Sequence, residues 1–460
     1  MSLQKREKSE ARKMNTRGER RFQPAQFLAL SFVVTITIGT ILLLLPLSTK
    51  SGHISLIDAF FTATSAVCVT GLIVQDTATY FSPAGQVIIM GLFQLGGLGI
   101  MTFSTLILLV AGKKVSIKDS IIIKEGFHYS SQKNVKSLIT NIFLYALTIE
   151  IIGSIFLFIH WHGKFSGLKA VFHSVFHSIS AFCNAGFSLF SDSLESFRSD
   201  TWVNLTFVFM IVLGGIGFLV LQEGKEIFSA FIKKKKNHIS LHTKLVLSLT
   251  FCLIVIACIV FMAIEWNNSL QNFTLKEKIL TSIFHVITPR TAGFNTMNLN
   301  TLSYGAVFLL MSLMFIGASP GSTGGGVKTS TIGVILAFIR SKIKARDSVS
   351  IFCRTLPVDL ITKAFTVVTL SISVIFVSSF IIFLAQPGAG MKEVFFEIFS
   401  AFGTVGLSLG LTQKLSVLGK IVIIMTMYVG RIGPLTLLYA FSRKKAFGRY
   451  EYVEESVMIG

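Results

Sequence analysis

DAFFTATSAVCVTGL, residues 58–72, is the stretch from which the rest of the chain is read. About 20 helical residues are needed to cross the ~30 Å apolar core of a bilayer, so this segment cannot span, yet it is too apolar for a solvated loop. It closes on a glycine. Three later segments read the same way: AVFHSVFHSISAFCNAGF at 170–187, ILTSIFHVITPRTAGF at 279–294 and VFFEIFSAFGTVGL at 394–407. Aligned on Gly71, Gly186, Gly293 and Gly406, a Phe falls ten residues back at Phe61, Phe176 and Phe396, with Ile283 the exception, and Leu or Phe follows every glycine. A second landmark starts 25, 28, 24 and 24 residues further on: GGLG at 96–99, GGIG at 214–217, GASPG at 317–321 and GRIG at 430–433. Close packing of membrane helices through small residues explains the second set. It does not explain four non-spanning segments that each end in glycine. The pattern predicts four parallel copies of one unit: a span, a re-entrant half-helix and a second span.

The flanking sequence agrees. Apolar stretches of spanning length run over 27–46, 84–111, 138–160, 201–222, 244–264, 304–338, 361–385 and 416–441. The segment 27–46 follows polar sequence and lacks a small-residue cleavage site, so it reads as a retained anchor. Residues AVILMFWYC make up 52% of the chain and charged residues 14%, with 43 Phe; about 25% charge is usual for soluble proteins, so a soluble globule is excluded. The net charge of +20 must lie outside the lipid. Its basic residues are mostly scattered between spans, so no nucleic-acid partner is expected. Thirty of the 42 Lys and Arg fall in 1–26, 112–137, 223–244, 340–363 and the tail after Phe441. These segments share one side of an eight-span chain, and the positive-inside rule makes that side, with both termini, cytoplasmic. The four lysines of 233–236 suit anionic lipid or a docking partner. Cys68, Cys183, Cys252, Cys258 and Cys353 show no CxxC pair and read as free thiols. The expected organisation is an all-α membrane protein: a basic segment 1–26, pore repeats 27–111, 138–222, 244–338 and 361–441, and a tail 442–460.

Irregular backbone at membrane depth is tolerated only where protein buries it or water lines it. Four copies around one axis enclose such a place. Each half-helix would start near the outer surface and aim its C-terminal end, bearing roughly half an elementary negative charge, at the midplane. Glycine permits the positive φ needed as the chain turns back. Carbonyl oxygens lining that turn can replace the hydration shell of K+. The sixth stretch, 304–338, is too long for one helix; its middle, GASPGSTGGGVKTS at 317–330, carries five glycines and Pro320 and should be an unwound loop below the filter. A phosphate loop is excluded, because Val327 separates glycine from Lys328 and no strand precedes it. Arg431, aligned with Gly97, Gly215 and Ala318, puts one guanidinium at the loop's level, a functional position by default. Lys328 is expected to snorkel outward.

At these residues the chain resembles the Trk/Ktr/HKT superfamily of cation transporters, most closely its KtrB-type membrane subunits. The resemblance rests on SAVCVTGL, SAFCNAGF, TPRTAGF and SAFGTVGLSLG, together with GASPGSTGGGVKTS and GRIGPLTLL. It implies K+ uptake across the bacterial cell membrane, with Na+ stimulating or accompanying it. It also implies a homodimer with a pore in each protomer, and a cytoplasmic RCK ring that binds ATP/ADP or NAD(H). Carried over, the filter is the backbone of Cys68, Val69, Thr70 and Gly71; Cys183, Asn184, Ala185 and Gly186; Arg290, Thr291, Ala292 and Gly293; and Gly403, Thr404, Val405 and Gly406. Gly71 fits the K+ pattern, whereas some Na+-passing relatives carry Ser there. A Na+ or unselective cation pathway is the alternative. Arg290 reads as a structural donor behind the filter. The gate would comprise Gly317, Ser319, Gly321, Ser322, Thr323, Gly324, Gly325, Gly326 and Lys328, latched by Arg431.

His173 and His177 stand at metal-ligand spacing, but no third ligand is near and packing behind the filter is the better reading. Glu150 within a span needs a polar partner that the sequence does not name, and the role of Glu397 is open. Asp58 suits the start of a half-helix. No catalytic set is readable, so no enzyme activity and no organic cofactor are expected.

Overall fold

The computed structural model describes residues 24–100, 135–234, 239–441 and 455, and is almost wholly helical. The first unit runs α1 (Pro24–Leu44), α2 (Leu56–Val67) and α3 (Pro83–Leu98). The second runs α4 (Val135–Trp161), α5 (Gly167–Cys183), α6 (Thr201–Gly215) and α7 (Phe218–Ile232). The third is α8 (Leu241–Glu265), α9 (Leu275–Ile287), α10 (Tyr304–Phe315) and α11 (Thr329–Ile343). A short hairpin of β1 (Ser350–Ile351) and β2 (Arg354–Thr355) leads to the fourth: α12 (Val358–Ala385), α13 (Met391–Gly403), α14 (Val417–Ile432) and α15 (Pro434–Phe441). The architecture is four pseudo-symmetric repeats of helix, re-entrant half-helix and helix. Expectations for the basic head before Pro24, for 101–134, for Lys235 and Lys236, and for the tail lie outside the described residues.

Four helices are long and apolar enough to cross a membrane, and one opens each unit: 25–44, 139–161, 241–265 and 358–385. Their outward faces are lipid-like, with Ile151, Ile155 and Ile159 exposed on α4 and Phe376, Phe380 and Leu384 on α12. The half-helices are the reverse, buried nearly all round. Local chemistry starts them. Ser55 accepts a hydrogen bond from the Asp58 N–H, and Thr274 forms a reciprocal capping box with Glu277, each satisfying donors that a helix start leaves orphaned.

The second helix of units one, two and four differs from expectation, while that of unit three is interrupted as expected. The sequence suggests continuous spans at 201–222 and 416–441, with only the sixth interrupted. Instead α6 and α7 meet at 101° and α14 and α15 at 92°. α3 likewise stops at Gly99, where φ is +86°. The GxxG landmark is the cause. Its first glycine, Gly96, Gly214 or Gly430, lies where a Cβ would run into the carbonyl oxygen of Val67, Phe182 or Phe402 at the foot of that unit's half-helix. Its last, Gly99, Gly217 or Gly433, has positive φ, which few other residues adopt without strain. Close approach and break therefore come from one motif.

The repeats are tied together on the side where the half-helices begin. Ser191 Oγ donates to Asp76 at 2.5 Å, Asn295 Nδ2 to Glu195 at 2.8 Å, and Lys420 Nζ to Asp58 at 2.6 Å. Lys392 lies 5.3 Å from the Tyr304 ring centroid. These contacts join units one to two, two to three, four to one and three to four, closing a circle.

Candidate functional site

The C-terminal ends of α2, α5, α9 and α13 converge on one ring. Past each end the backbone turns left-handed twice. The first turn is at Val69, Asn184, Thr291 and Thr404, with φ of 58°, 58°, 82° and 51°. The second is at Gly71, Gly186, Gly293 and Gly406, with φ of 85°, 72°, 80° and 96°. A Cβ on Gly71 would lie 2.5 Å from the Ala185 carbonyl oxygen and 2.8 Å from Gly186 Cα. One on Gly186 would meet the Ala292 oxygen at 3.0 Å and Gly293 Cα at 3.3 Å. One on Gly293 would strike the Val405 oxygen, and one on Gly406 the Thr70 oxygen. The glycines therefore close in the order one, two, three, four, and the carbonyl before each glycine faces the glycine of the preceding unit, that of unit one facing unit four. Positive φ at β-branched Val69, Thr291 and Thr404 costs on the order of 1–3 kcal/mol each and persists only where the surroundings over-determine it.

Those surroundings include a hydroxyl that the sequence reading passed over. Ser65 Oγ donates to the Leu72 carbonyl at 2.7 Å and accepts from the Gly71 N–H at 3.1 Å. Ser180 Oγ donates to Phe187 O at 2.8 Å, and Thr288 Oγ1 to Phe294 O at 2.6 Å. Ser400 Oγ accepts from the Gly406 N–H at 3.1 Å. The signal was present, because all four strings begin with Ser or Thr. Two side chains between hydroxyl and glycine bond away from the ring, Cys183 Sγ to Gln94 Oε1 at 3.1 Å and Arg290 Nη2 to Thr250 Oγ1 on α8 at 3.3 Å, whereas Asn184 Nδ2 donates to Thr291 Oγ1 of the neighbouring unit at 3.3 Å.

Below the ring, residues between α10 and α11 fold back against units two, three and four. Ser319 N donates to Gly215 O at 3.0 Å, Thr323 N to Gly214 O at 3.3 Å and Gly326 N to Gly430 O at 3.3 Å. Gly325 N donates to Thr404 Oγ1 at 2.9 Å, and Gly217 would meet Pro320 O at 2.6 Å were it to carry a Cβ. Gly324 packs against Thr291, and Gly317 against Gly325. Phe218 N donates to Gly321 O at 2.9 Å, and Ser322 Oγ to Ser319 O at 2.6 Å. The Arg431 guanidinium donates to the Thr323 carbonyl and, through its other nitrogen, to that of Gly96. Lys328 does not snorkel outward. Its Nζ donates to Gly324 O at 2.6 Å, because the folded-back loop offers the ammonium an acceptor inside the protein.

Two buried carboxylates find partners. Glu150 receives Gln94 Nε2 at 3.0 Å on both oxygens, and Glu397 receives the Ser408 hydroxyl at 2.8 Å and that of Thr412. His177 packs beside Trp161 and Phe190, and no group of residues suited to a metal occurs among the described residues.

The profile of the TrkH family, described as cation transport proteins, matches residues 3–450. The chain belongs to this family of cation transport proteins. It is 41% identical to the Ktr system potassium uptake protein B of Bacillus subtilis over 92% of this chain and 94% of that one. It is 38% identical to the potassium/sodium uptake protein NtpJ of Enterococcus hirae, over 97% and 99%. The crystal structure of the potassium transporter TrkH from Vibrio parahaemolyticus shares the fold, with a TM-score of 0.73 over 93% of this chain and 86% of that one at 19% identity. The TrkH-family chain described here is thus a multi-pass membrane transporter and not an enzyme.

Proposed function

We propose that the protein is the pore subunit of a K+ uptake system. The ring of carbonyls closed by Gly71, Gly186, Gly293 and Gly406 carries the reading, since dehydrated K+ is held by backbone oxygens at the negative ends of converging helices. In this reading the ion meets the backbone of residues 68–71, 183–186, 290–293 and 403–406, and the loop 317–330 with Arg431 is the gate. The names of the B. subtilis and E. hirae relatives, a potassium uptake protein and a potassium/sodium uptake protein, support K+ as the cargo. The second of those names also keeps a pathway that passes Na+ in view. We further infer both termini on the cytoplasmic side, pore repeats at 27–111, 138–222, 244–338 and 361–441, a homodimer, Na+-stimulated uptake and control by an RCK ring that binds nucleotide. Anionic lipid would lie along α7, where Phe228, Phe231 and Ile232 are exposed beside Lys225 and Lys233. Radiotracer uptake in a K+-transport-deficient strain tests the function. Restored, saturable K+ uptake with weaker Na+ uptake is expected, and absence of K+ uptake by expressed protein overturns it.

A further inference from the structure

Three residues before the anchoring hydroxyls Ser65, Ser180, Thr288 and Ser400 stand Thr62, His177, His285 and Glu397. All four are buried, at 2%, 0%, 0% and 0% exposure. Each half-helix thus keeps one polar side chain about one turn above its anchor, where an apolar residue would pack without the cost of burying polar atoms. In units two and four that residue reaches the chain as it climbs away from the ring. Ser188 and Ser408 hold the same place, two residues past Gly186 and Gly406, and each hydroxyl accepts the N–H two residues on, Phe190 and Gly410, at 3.0 Å. His177 Nε2 lies 3.1 Å from Ser188 Oγ and accepts the Leu189 N–H at 3.2 Å, while Nδ1 lies 2.8 Å from the carbonyl of His173. Glu397 Oε2 accepts from Ser408 Oγ at 2.8 Å, and its other oxygen accepts from Thr412.

Units one and three lack this tie. The place two residues past the glycine holds Ile73 and Asn295, and Asn295 turns outward to Glu195 at 2.8 Å. Thr62 Oγ1 and His285 Nε2 have no hydrogen-bond partner. Because the ring closes in chain order, units two and four face each other across the axis. The ring is braced on two opposite sides and left unbraced on the other two.

We propose that Glu397 and His177 are positioning residues for ion discrimination. Glu397, through Ser408 and Thr412, and His177, through Ser188, fix the ascending limbs after Gly406 and Gly186 and so hold the carbonyls of filters four and two at the spacing that favours K+. The proposal rests on the reading of the ring as a K+ filter. Its chemistry is specific: Ser408 and Thr412 donate to different oxygens of Glu397, and an amide would set an NH2 donor in place of one of them.

The test is uptake of K+ and Na+ by the full chain reconstituted in liposomes, with KM and maximal rate determined for each ion. Glu397→Gln, Ser408→Ala and Thr412→Val are expected to lower the preference for K+ about five- to tenfold, the scale of one lost buried hydrogen bond, chiefly through a raised K+ KM. Thr62→Val, at the corresponding place in an unbraced unit, should stay within about twofold of wild type on the same scale. Gly71→Ser perturbs the ring itself. If the three brace variants keep wild-type preference while Gly71→Ser loses it, the brace is overturned and the filter reading stands. If Gly71→Ser also keeps it, the filter reading falls too. Equal loss in Thr62→Val and Glu397→Gln would assign the effect to packing and overturn the brace. Should Glu397→Gln fail to fold, Ser408→Ala, which removes one hydroxyl, decides alone.

Discussion

Replacing Arg431 with alanine isolates what holds the loop under the ring. The guanidinium makes one bond to the loop, at the Thr323 carbonyl, and one to the fixed end of α3, at Gly96. A bond to a charged donor contributes roughly 1.5–3 kcal/mol, and only the Thr323 bond is lost from the loop when the side chain is cut. At 1.4 kcal/mol per tenfold, displacement of the loop should become about 10- to 150-fold more frequent. The backbone bonds to Gly214, Gly215 and Gly430 remain, so the loop is loosened and not released. The assay is K+ efflux from liposomes holding the full chain with no cytoplasmic partner, and a rise is expected. Arg431→Lys separates latch from charge: lysine keeps the positive charge but not the planar fork that serves both carbonyls. Flux in the lysine variant close to that of alanine marks a latch, and flux close to wild type marks a charge barrier. Lower flux than wild type from well-folded alanine variant would show that the loop supports conduction, and the gate reading would be wrong.

Gly71→Ser should lower the preference for K+ over Na+ by about tenfold or more, because its Cβ would stand 2.5 Å from the Ala185 oxygen at a φ of +85°; relative uptake of the two ions measures it. Gly214→Ala should lower thermal stability by about 1–3 kcal/mol, since the added methyl meets the Phe182 carbonyl and backbone cannot step aside. Gly224→Ala, in the interior of α7 with nothing within 4 Å, should raise it by about 0.5–1 kcal/mol, and melting of the two in detergent gives the contrast. Shortening 321–326 should raise partner-free flux beyond Arg431→Ala, read in the same efflux assay. The purified chain should show no saturable binding of ATP or NADH in a titration, because the sequence segments that join the units, 112–137, 223–244 and 340–363, are each shorter than the ~30-residue unit such a site requires.

The repeat was legible because the constraint that creates it is local: a segment too short to span, ended by the residue that tolerates positive φ. The ring glycines Gly71, Gly186, Gly293 and Gly406 could be aligned from spacing alone. The bends after Gly215 and Ile432 were not, since GxxG in a membrane helix more often signals helix packing, and the carbonyl that forces the break belongs to another helix. The same holds for Lys328. Its position in the sequence suggested an outward side chain, whereas its acceptor is a loop carbonyl that exists only once the loop has folded back. Gln94 as the partner of Glu150 lies 56 residues away, beyond any helical or strand periodicity.

How one unit of a symmetric scaffold comes to carry the loop follows from the breaks in the other three. A helix end leaves its last carbonyls without intrahelical donors. α3, α6 and α14 all end just below the ring, and among the acceptors they present there are the oxygens of Gly96, Gly214, Gly215 and Gly430. In the third unit α10 ends at Phe315 and the chain runs on as the loop, whose Ser319, Thr323 and Gly326 N–H groups go to Gly215, Gly214 and Gly430. Arg431, itself on the last turn of α14, takes Gly96. The seat of the loop is therefore built from the broken ends of its neighbours. A backbone hydrogen bond exchanged for one to water costs a net of about 0.5–1.5 kcal/mol, so each single bond lost when the loop moves is a small penalty. A loop held by several such bonds and one charged latch can be specific in position and still displaced by the binding energy of a partner below it. A continuous helix in that place could do neither.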